Sequence, residues 1–110
     1  MAGTYSNLNY HIVFSTKNRE PYIDDQNFEK RLHEYLGGSV RGHGGIAYLI
    51  NGTMDHVHLL IRYMPNGNLS HLLRDIKSGS SKWVHDNFTD KRKFAWQEGF
   101  GAFTVSYSHT

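Results

Sequence analysis

The sequence predicts an α+β fold in which a four-stranded antiparallel sheet is covered on one face by two helices. Two observations lead to this prediction. Four short segments are rich in β-branched and aromatic residues or alternate in polarity, and two longer segments repeat apolar residues at helical spacing. The segments follow one another as strand, helix, strand, strand, helix, strand, which is the order of the split β-α-β, or ferredoxin-like, arrangement.

Length and composition limit the classes of protein to consider. The chain has 110 residues, 38% of them hydrophobic, so we expect a single domain over residues 1–110 with one core. It contains no cysteine, which excludes a disulfide framework, a thiolate zinc site and a cysteine nucleophile. Without a leader or an apolar run of the roughly 20 residues that span a bilayer, we expect a soluble, cytoplasmic protein. The net charge of +2 allows a nucleic-acid partner without requiring one.

The first strand and the first helix come early in the chain. Residues 10–14 alternate within a β-branched and aromatic run and predict a strand. Asp24 or Asp25 can cap the helix, which either ends near Gly37 or continues to Arg41. Its apolar residues at helical spacing are Phe28, Leu32, Tyr35 and Leu36.

The second and third strands are predicted to form a hairpin. Residues 46–50 and 56–61 are both strand-like, and they flank Asn51-Gly52-Thr53-Met54. Asn-Gly between two such runs is the strongest short hairpin signal, so we expect this segment to connect the two strands as a hairpin.

The second helix is predicted to begin after Asn68, a suitable N-cap. Its buried stripe consists of Leu69, Leu72, Leu73, Ile76, Ser80, Trp83 and Val84. Gly79 in its middle costs about 1 kcal/mol relative to alanine, so it calls for a reason: close approach of a phosphate backbone or close packing of another helix. Residues 94–106 are predicted to form the last strand, with Gly99 and Gly101 permitting a bulge.

Two histidines on the third strand are the strongest functional signal. His56 and His58 are two residues apart, so in an extended chain they share one face with Leu60, while Val57, Leu59, Ile61 and Tyr63 share the other. Two imidazoles on one face are suited to bind a divalent metal, although a half-buried strand can also carry two polar residues for no such purpose. His11, on the neighbouring first strand, either projects from the same face or is a packed or capping histidine.

In these motifs the chain resembles the single-tyrosine HUH transposases of the insertion-sequence 200 type, which cut and rejoin single-stranded DNA. The resemblance covers almost the whole chain. Four blocks carry it in the family's order: YHIVFSTK at residues 10–17, MDHVHLL at 54–60, KSGSSK at 77–82 and FAWQEGFGAF at 94–103.

The resemblance implies a ferredoxin-like catalytic domain in which His56 and His58 bind magnesium or manganese. The metal would polarise the scissile phosphate, and a tyrosine would attack phosphorus to give a 5′-phosphotyrosine and a free 3′-hydroxyl. Family members act in DNA transposition and recombination, as homodimers on hairpin-bearing DNA ends. Candidate DNA-binding residues are Lys17, Arg74, Lys77 and Lys82, although lysines and arginines on a helix can also be an ordinary solvated face.

The family's nucleophilic tyrosine lies on a helix after the last strand, and a glutamine one turn later completes the metal site. We expect both beyond Thr110, which would fit a natural truncation or a deliberately shortened chain. Tyr107 is the nearest tyrosine, but it does not align with the nucleophile. The others fit strand, loop or core positions better: Tyr5, Tyr10, Tyr22, Tyr35, Tyr48 and Tyr63. Without a covering helix, the open sheet face would expose Val13 and Leu60 and favour a dimer.

Three other functions remain open. A non-catalytic protein derived from such a transposase could bind DNA hairpins or single strands without metal. Its basic residues would be Arg74, Lys77, Lys82, Lys91, Arg92 and Lys93. A zinc metallohydrolase is disfavoured because Leu59 and Leu60 occupy positions where further ligands would be expected. The last alternative is a ferredoxin-like module that binds neither metal nor DNA.

Overall fold

The structure, a computed structural model, describes residues 8–64 and 67–105 and has the predicted order of elements. The strands and helices are β1 (Leu8–Ser15), α1 (Gln26–Gly42), β2 (Ile46–Gly52), β3 (His56–Tyr63), α2 (Leu69–Asn87) and β4 (Gly101–Val105). Short 3-10 turns follow β1 and α2, at Lys17–Arg19 and Thr89–Lys91. The four strands form one antiparallel sheet in the order β2-β3-β1-β4, so the predicted fold class is confirmed.

The core lies between the sheet and the two helices. Alternate residues of β1 and β3 are buried, as the period of two in an extended chain requires. From the sheet these are Ile12, Phe14, Val57, Leu59 and Ile61, and from the helices Phe28, Leu32, Leu36, Val40, Leu72, Leu73, Ile76 and Val84. The other face of the sheet therefore carries no helix in the described part of the chain, and we call it the open face.

Both helix starts follow the sequence prediction. Oδ1 of Asp25 accepts a hydrogen bond from the Phe28 amide at 2.8 Å, and Oδ1 of Asn68 accepts one from the His71 amide at 3.0 Å. α1 does not end at Gly37, because that residue is buried against β2, where a Cβ would lie 3.4 Å from Cδ1 of Ile50. Neither helix of the described chain is long and apolar enough to cross a membrane.

The structure explains Gly79 by close packing of the two helices. A Cβ at this position would lie 3.1 Å from the hydroxyl oxygen of Tyr35 on α1. The Tyr35 ring in turn stacks on Trp83 of α2, with ring centroids 5.0 Å apart. A Cβ here would have to displace the Tyr35 hydroxyl, so of the two predicted reasons the structure supports helix packing.

The turn of the hairpin begins later than predicted, after Gly52. Asn51 and Gly52 still belong to β2, where they pair with His58 and Val57, and the chain turns at residues 53–55. The reason is a close approach of two backbones: a Cβ on Gly52 would lie 2.2 Å from the carbonyl oxygen of His56. The glycine is needed for strand pairing next to the turn, and not for the turn itself.

The last strand is shorter than predicted, because it begins at Gly101 and not at residue 94. Phe94 is buried in the core, and Trp96 makes only an isolated bridge with Thr16. Gly99 has a positive φ of 83°, which interrupts an extended conformation before β4 can form. The predicted end of this strand at Ser106 lies outside the described residues.

Candidate metal and nucleic-acid site

The register of the two central strands brings three histidines together on the open face. β1 and β3 are antiparallel, and His58 lies opposite Val13 while His11 lies opposite Leu60. Directly opposed residues project to the same side of an antiparallel pair, so His11, His56 and His58 share the face away from the helices. Of the two explanations of His11, the structure supports the one that places it on this face.

The three imidazole rings form a contiguous row. Nε2 of His11 lies 2.9 Å from Nδ1 of His58, and the two rings stack with centroids 5.1 Å apart. The His56 and His58 rings are 4.9 Å apart and meet edge to face. All three side chains are partly exposed, so the row is accessible from solvent.

His56 is held from the side by a polar cluster. Its Nδ1 lies 2.9 Å from Oδ1 of Asp55 and 2.9 Å from the Thr53 hydroxyl, while Nη2 of Arg19 lies 3.3 Å from the same carboxylate oxygen. The hydrogen bond from His56 is the main cause that holds the pKa of Asp55 below its usual 3.8. An ionised carboxylate can only accept, so Nδ1 of His56 carries the proton and Nε2 of the neutral ring keeps its lone pair.

The surroundings of His58 favour its neutral form. Desolvation lowers its pKa below the usual 6.5, and repulsion from His56 and from His11 acts in the same direction. Metals bind the neutral imidazole, so these surroundings favour the form of His58 that can act as a ligand.

The histidines separate two shallow cavities. One, of about 350 Å³, is lined by His11, Leu49, Asn51, His58 and Leu60. The other, of about 440 Å³, has His56, His58, Arg19, Glu98 and Phe103 among its lining residues. Sequence reasoning did not single out Glu98 or Arg19, because both reach this cavity from segments distant in the chain. The only signal for Glu98 was its place in the FAWQEGFGAF block.

The residues on this face fit a divalent metal in part. His56 has its Nδ1 held by a carboxylate, and His58 is kept neutral, so both can offer Nε2 to a cation beside the larger cavity. Within the described residues, however, no three histidine, aspartate or glutamate side chains are arranged to hold a metal together. A cation bound by this pair would have two imidazole ligands and further positions for other donors.

The predicted DNA-binding residues differ in how they are held. Lys17 is exposed directly after β1. Arg74 is 67% exposed, and its Nε lies 3.7 Å from the adjacent Asp75. Nζ of Lys82 lies 2.6 Å from Asp86, four residues on along α2, and this contact raises the pKa of the lysine above 10.5. These three side chains remain on the surface, where a phosphate can reach them.

Lys77 is half-buried, and its ammonium is hydrogen-bonded within the protein. Its ammonium donates to the carbonyl oxygens of Gln97 and, at 2.7 Å, of Gly99, and lies 5.6 Å from the centroid of the Phe14 ring. Burial lowers its pKa below 10.5, and the nearby carboxylate of Glu98 opposes this effect. In this arrangement the ammonium already has protein acceptors, so its main role is to tie the segment before β4 to α2.

Lys91, one of the basic residues expected to contact DNA in the non-catalytic alternative, is buried in the structure. It is only 6% exposed, and its ammonium bonds the Asp24 carboxylate and lies 4.9 Å from the centroid of the Phe28 ring. This lysine is thus part of the packing beneath the start of α1, whereas Arg92 and Lys93 are exposed.

Apolar residues on the open face are more exposed at its edges than at its centre. Val13 and Leu60, which were expected to be exposed, are half-buried, whereas Leu49 on β2 and Phe103 on β4 are 56% and 62% exposed. Of the tyrosines, Tyr10, Tyr22 and Tyr63 pack against the core and Tyr48 lies exposed on β2. Tyr5 and Tyr107 lie outside the described residues.

Comparisons with known proteins agree with this fold and these motifs. A family model described as "Transposase IS200 like" matches residues 4–110. A candidate transposase from Deinococcus radiodurans R1 has a similar structure, with a TM-score of 0.84 and 22% identity over 94% of this chain and 83% of that one. A REP-associated tyrosine transposase, solved bound to a REP hairpin, has a TM-score of 0.66 and 13% identity over 94% of this chain and 59% of that one. At these identities both structures support the fold alone. No curated protein has a significant sequence match to the chain.

Proposed function

Because the chain belongs to the IS200-like transposase family, we propose that it is the DNA-cleaving domain of an HUH single-tyrosine transposase. In this role it cuts and rejoins single-stranded DNA at transposon ends. The observation that carries the proposal is the open face, where His56 and His58 stand side by side and each has its Nδ1 in contact with another side chain.

His56 and His58 would hold magnesium or manganese through their Nε2 atoms. When bound, the cation supplies Lewis-acid stabilisation of the charge that develops on the scissile phosphate. Asp55, Thr53 and Arg19 keep the His56 ring in one orientation, and the surroundings of His58 favour the neutral form of that ring. The larger cavity, with Arg19 and Glu98 at its walls, gives a single DNA strand access to both imidazoles.

The nucleophile in this proposal is a tyrosine on a helix that follows β4 in family members. Its oxygen forms a bond to phosphorus while the bond to the 3′ oxygen breaks, so the DNA is left with a 5′-phosphotyrosine and a 3′-hydroxyl. A later attack by a 3′-hydroxyl reverses the exchange and releases the tyrosine. No external energy source is required, because a phosphodiester bond is exchanged at each step.

The proposed partners are hairpin-bearing single-stranded DNA and a second copy of the chain. Lys17, Arg74 and Lys82 are basic residues on the surface that are suited to contact phosphates. The exposed apolar residues at the edges of the open face favour a covering partner, in line with a homodimer. A DNA substrate of this kind also agrees with a cytoplasmic location.

A non-catalytic DNA-binding protein derived from such a transposase is the second candidate. The observation in its favour is that, among the described residues, no tyrosine lines either of the two cavities beside the histidines. Such a protein would bind hairpin DNA equally well with and without a divalent metal, whereas the transposase needs the metal for cleavage.

Covalent trapping separates the two candidates. The 110-residue chain, and a version extended through the following coding sequence, are incubated with a hairpin-bearing single-stranded oligonucleotide and manganese, and denaturing gels reveal any stable adduct. An adduct with the extended version alone supports the transposase and a nucleophile beyond Thr110. An adduct with the 110-residue chain implicates Tyr107 or another internal tyrosine. The His56→Ala/His58→Ala version is the control, and binding without an adduct in either version supports the second candidate.

A further inference from the structure

We infer that His11 is a positioning residue that accepts a hydrogen bond from Nδ1 of His58 and thereby directs Nε2 of His58 toward the metal. This inference rests on the proposed role of His56 and His58. It concerns a residue of β1 that lies 47 positions away in the sequence from the histidine it contacts.

The geometry of the pair limits where the proton can be. Nε2 of His11 and Nδ1 of His58 are 2.9 Å apart, a distance at which one of the two nitrogens donates and the other accepts. If His11 donates, the neutral His58 ring carries its own proton on Nε2, which then cannot bind a cation. If His58 donates from Nδ1, its Nε2 keeps the lone pair, and His11 is neutral with its proton on Nδ1.

Only the second arrangement is compatible with His58 as a ligand. Metal-bound histidines nearly always donate their other ring N–H to a carboxylate, a carbonyl or another acceptor, and this contact fixes the ring. Within the described residues His11 is the only side chain hydrogen-bonded to Nδ1 of His58. His11 thus accepts a hydrogen bond from Nδ1 of His58, as Asp55 accepts one from Nδ1 of His56. The acceptor is an imidazole for His58 and a carboxylate for His56.

The sheet holds His11 in place for this task. Its strand lies between β3 and β4, so the residue is paired on one side with Leu60 and on the other with Phe103. The Phe103 ring lies 6.5 Å from the His11 ring and limits its movement away from His58. A ring supported on both sides in a central strand is a more rigid acceptor than a loop residue would be.

The competing role for His11 is that of a third metal ligand. In that role Nε2 of His11 would have to leave His58 and bind the cation itself. The two roles place the His11 proton and the metal bond differently, so nuclear magnetic resonance can tell them apart.

The experiment uses imidazole ¹⁵N spectra of the wild-type chain with ¹¹³Cd²⁺ as the metal probe. We expect ¹¹³Cd–¹⁵N coupling at His56 and His58, no coupling at His11, and His11 in the tautomer that is protonated on Nδ1. Coupling to His11, or a proton on its Nε2 in the loaded protein, would overturn the inference. If neither His56 nor His58 couples to the metal, the proposed metal site fails and this inference fails with it.

Variants at position 11 give a second readout, the affinity for Mn²⁺ measured by electron paramagnetic resonance of the free ion. His11→Leu removes the acceptor and should weaken Mn²⁺ binding by about 10-fold or more. His11→Gln keeps an acceptor oxygen near Nδ1 of His58 and should recover much of the loss. Asn51→Ala, on the wall of the same small cavity, should leave the affinity unchanged.

The outcomes distinguish this inference from the proposed function. If His11→Leu binds Mn²⁺ as tightly as the wild type while His56→Ala/His58→Ala does not bind it, His11 has no positioning role but the metal site stands. Thermal unfolding of each variant shows whether it is folded, and the wild-type spectra decide the question even if one variant is not.

Discussion

Oδ1 of Asp55 lies 2.9 Å from Nδ1 of His56, so the residue that precedes the histidine pair fixes the first of its rings. The same oxygen lies 3.2 Å from the Thr53 hydroxyl and 3.3 Å from Nη2 of Arg19. Three donors on one carboxylate oxygen keep it ionised and oriented, because each donor stabilises the charged form. The orientation of His56 therefore depends on the turn before β3 and on the 3-10 turn after β1.

The first prediction concerns Asp55 and metal affinity. Asp55→Ala removes the acceptor from Nδ1 of His56 and should weaken Mn²⁺ binding by about 10-fold or more. Asp55→Asn keeps an acceptor oxygen without the charge, so its affinity should lie between those of Asp55→Ala and the wild type. Asp86→Asn is the matched control, because that carboxylate is exposed on α2 and pairs with Lys82. Equal losses of Mn²⁺ affinity in Asp55→Ala and Asp86→Asn would indicate a general effect of charge and not a specific contact with His56.

The second prediction is that His56→Ala/His58→Ala abolishes divalent-metal binding and leaves the fold intact. Both side chains lie on the open face, whereas the core side of β3 is formed by Val57, Leu59 and Ile61. The melting temperature should therefore change little. Isothermal titration calorimetry with Mn²⁺ measures the loss, and unchanged affinity in the double variant would refute the assignment of the metal ligands.

The features that could be predicted from the sequence are those fixed by neighbours in the chain. Asn68 as an N-cap and the apolar stripe of α2 depend on contacts within a few residues, and so does the alternation that places His56 and His58 on one face. The hairpin between β2 and β3 was predicted, but its turn begins after Gly52 and not at Asn51. Asn51-Gly52 is a local turn signal, but the close approach of Gly52 to His56 uses the glycine for strand pairing.

The features that could not be predicted depend on contacts distant in the chain. The contacts from Arg19 to Asp55 and from His11 to His58 join residues 36 and 47 positions apart, so they exist only once β1 and β3 have paired in one register. The aromatic run at residues 94–96 is typical of a strand in isolation. It is a core-packed segment here because Phe94 packs against Phe28 of α1 and Trp96 packs against Phe14 of β1.

The third prediction tests the structural role of Lys77. Lys77→Met keeps most of the side-chain volume but leaves the Gln97 and Gly99 carbonyl oxygens without their cation, so it should destabilise the fold by about 1–2 kcal/mol. Lys82→Met loses only a surface ion pair and should destabilise the fold less than Lys77→Met. Denaturant unfolding measures the free energy of unfolding of both variants. Equal losses of stability would contradict the structural role of Lys77. In Lys77→Met alone, the Gln97 amide, which donates to the Ser15 carbonyl, should also exchange its hydrogen faster.

The fourth prediction concerns the salt dependence of DNA binding. Lys17 and Arg74 are exposed, so replacing either by alanine should weaken binding to hairpin oligonucleotides. The loss should be similar for every DNA sequence, because phosphate contacts do not read bases. Each lost phosphate contact should lower the slope of log K against log salt by about 1. Fluorescence anisotropy at several salt concentrations gives this slope. Arg92→Ala, at an exposed arginine directly after the 3-10 turn Thr89–Lys91, is the comparison. An unchanged slope for Lys17→Ala and Arg74→Ala would exclude them as phosphate contacts.

The last prediction is a pH dependence of stability that arises from Asp24. The hydrogen bond from Lys91 is the main cause that lowers the pKa of Asp24 below 3.8 in the folded protein. In the window just below pH 3.8 the unfolded chain binds more protons than the folded one, so this contribution to stability is complete above that pH and is lost as the pH falls through the folded pKa. Asp24→Asn should therefore be less stable than the wild type at pH 6, and the difference should shrink as the solution is acidified.

Because the carboxylate is 55% exposed while the Lys91 side chain is 7% exposed, the effect depends more on leaving a buried ammonium without its partner than on the surface charge of Asp24. Urea unfolding of both proteins from pH 6 to pH 3 measures the difference, and a constant gap across that range would show that the ion pair is not the source of the linkage.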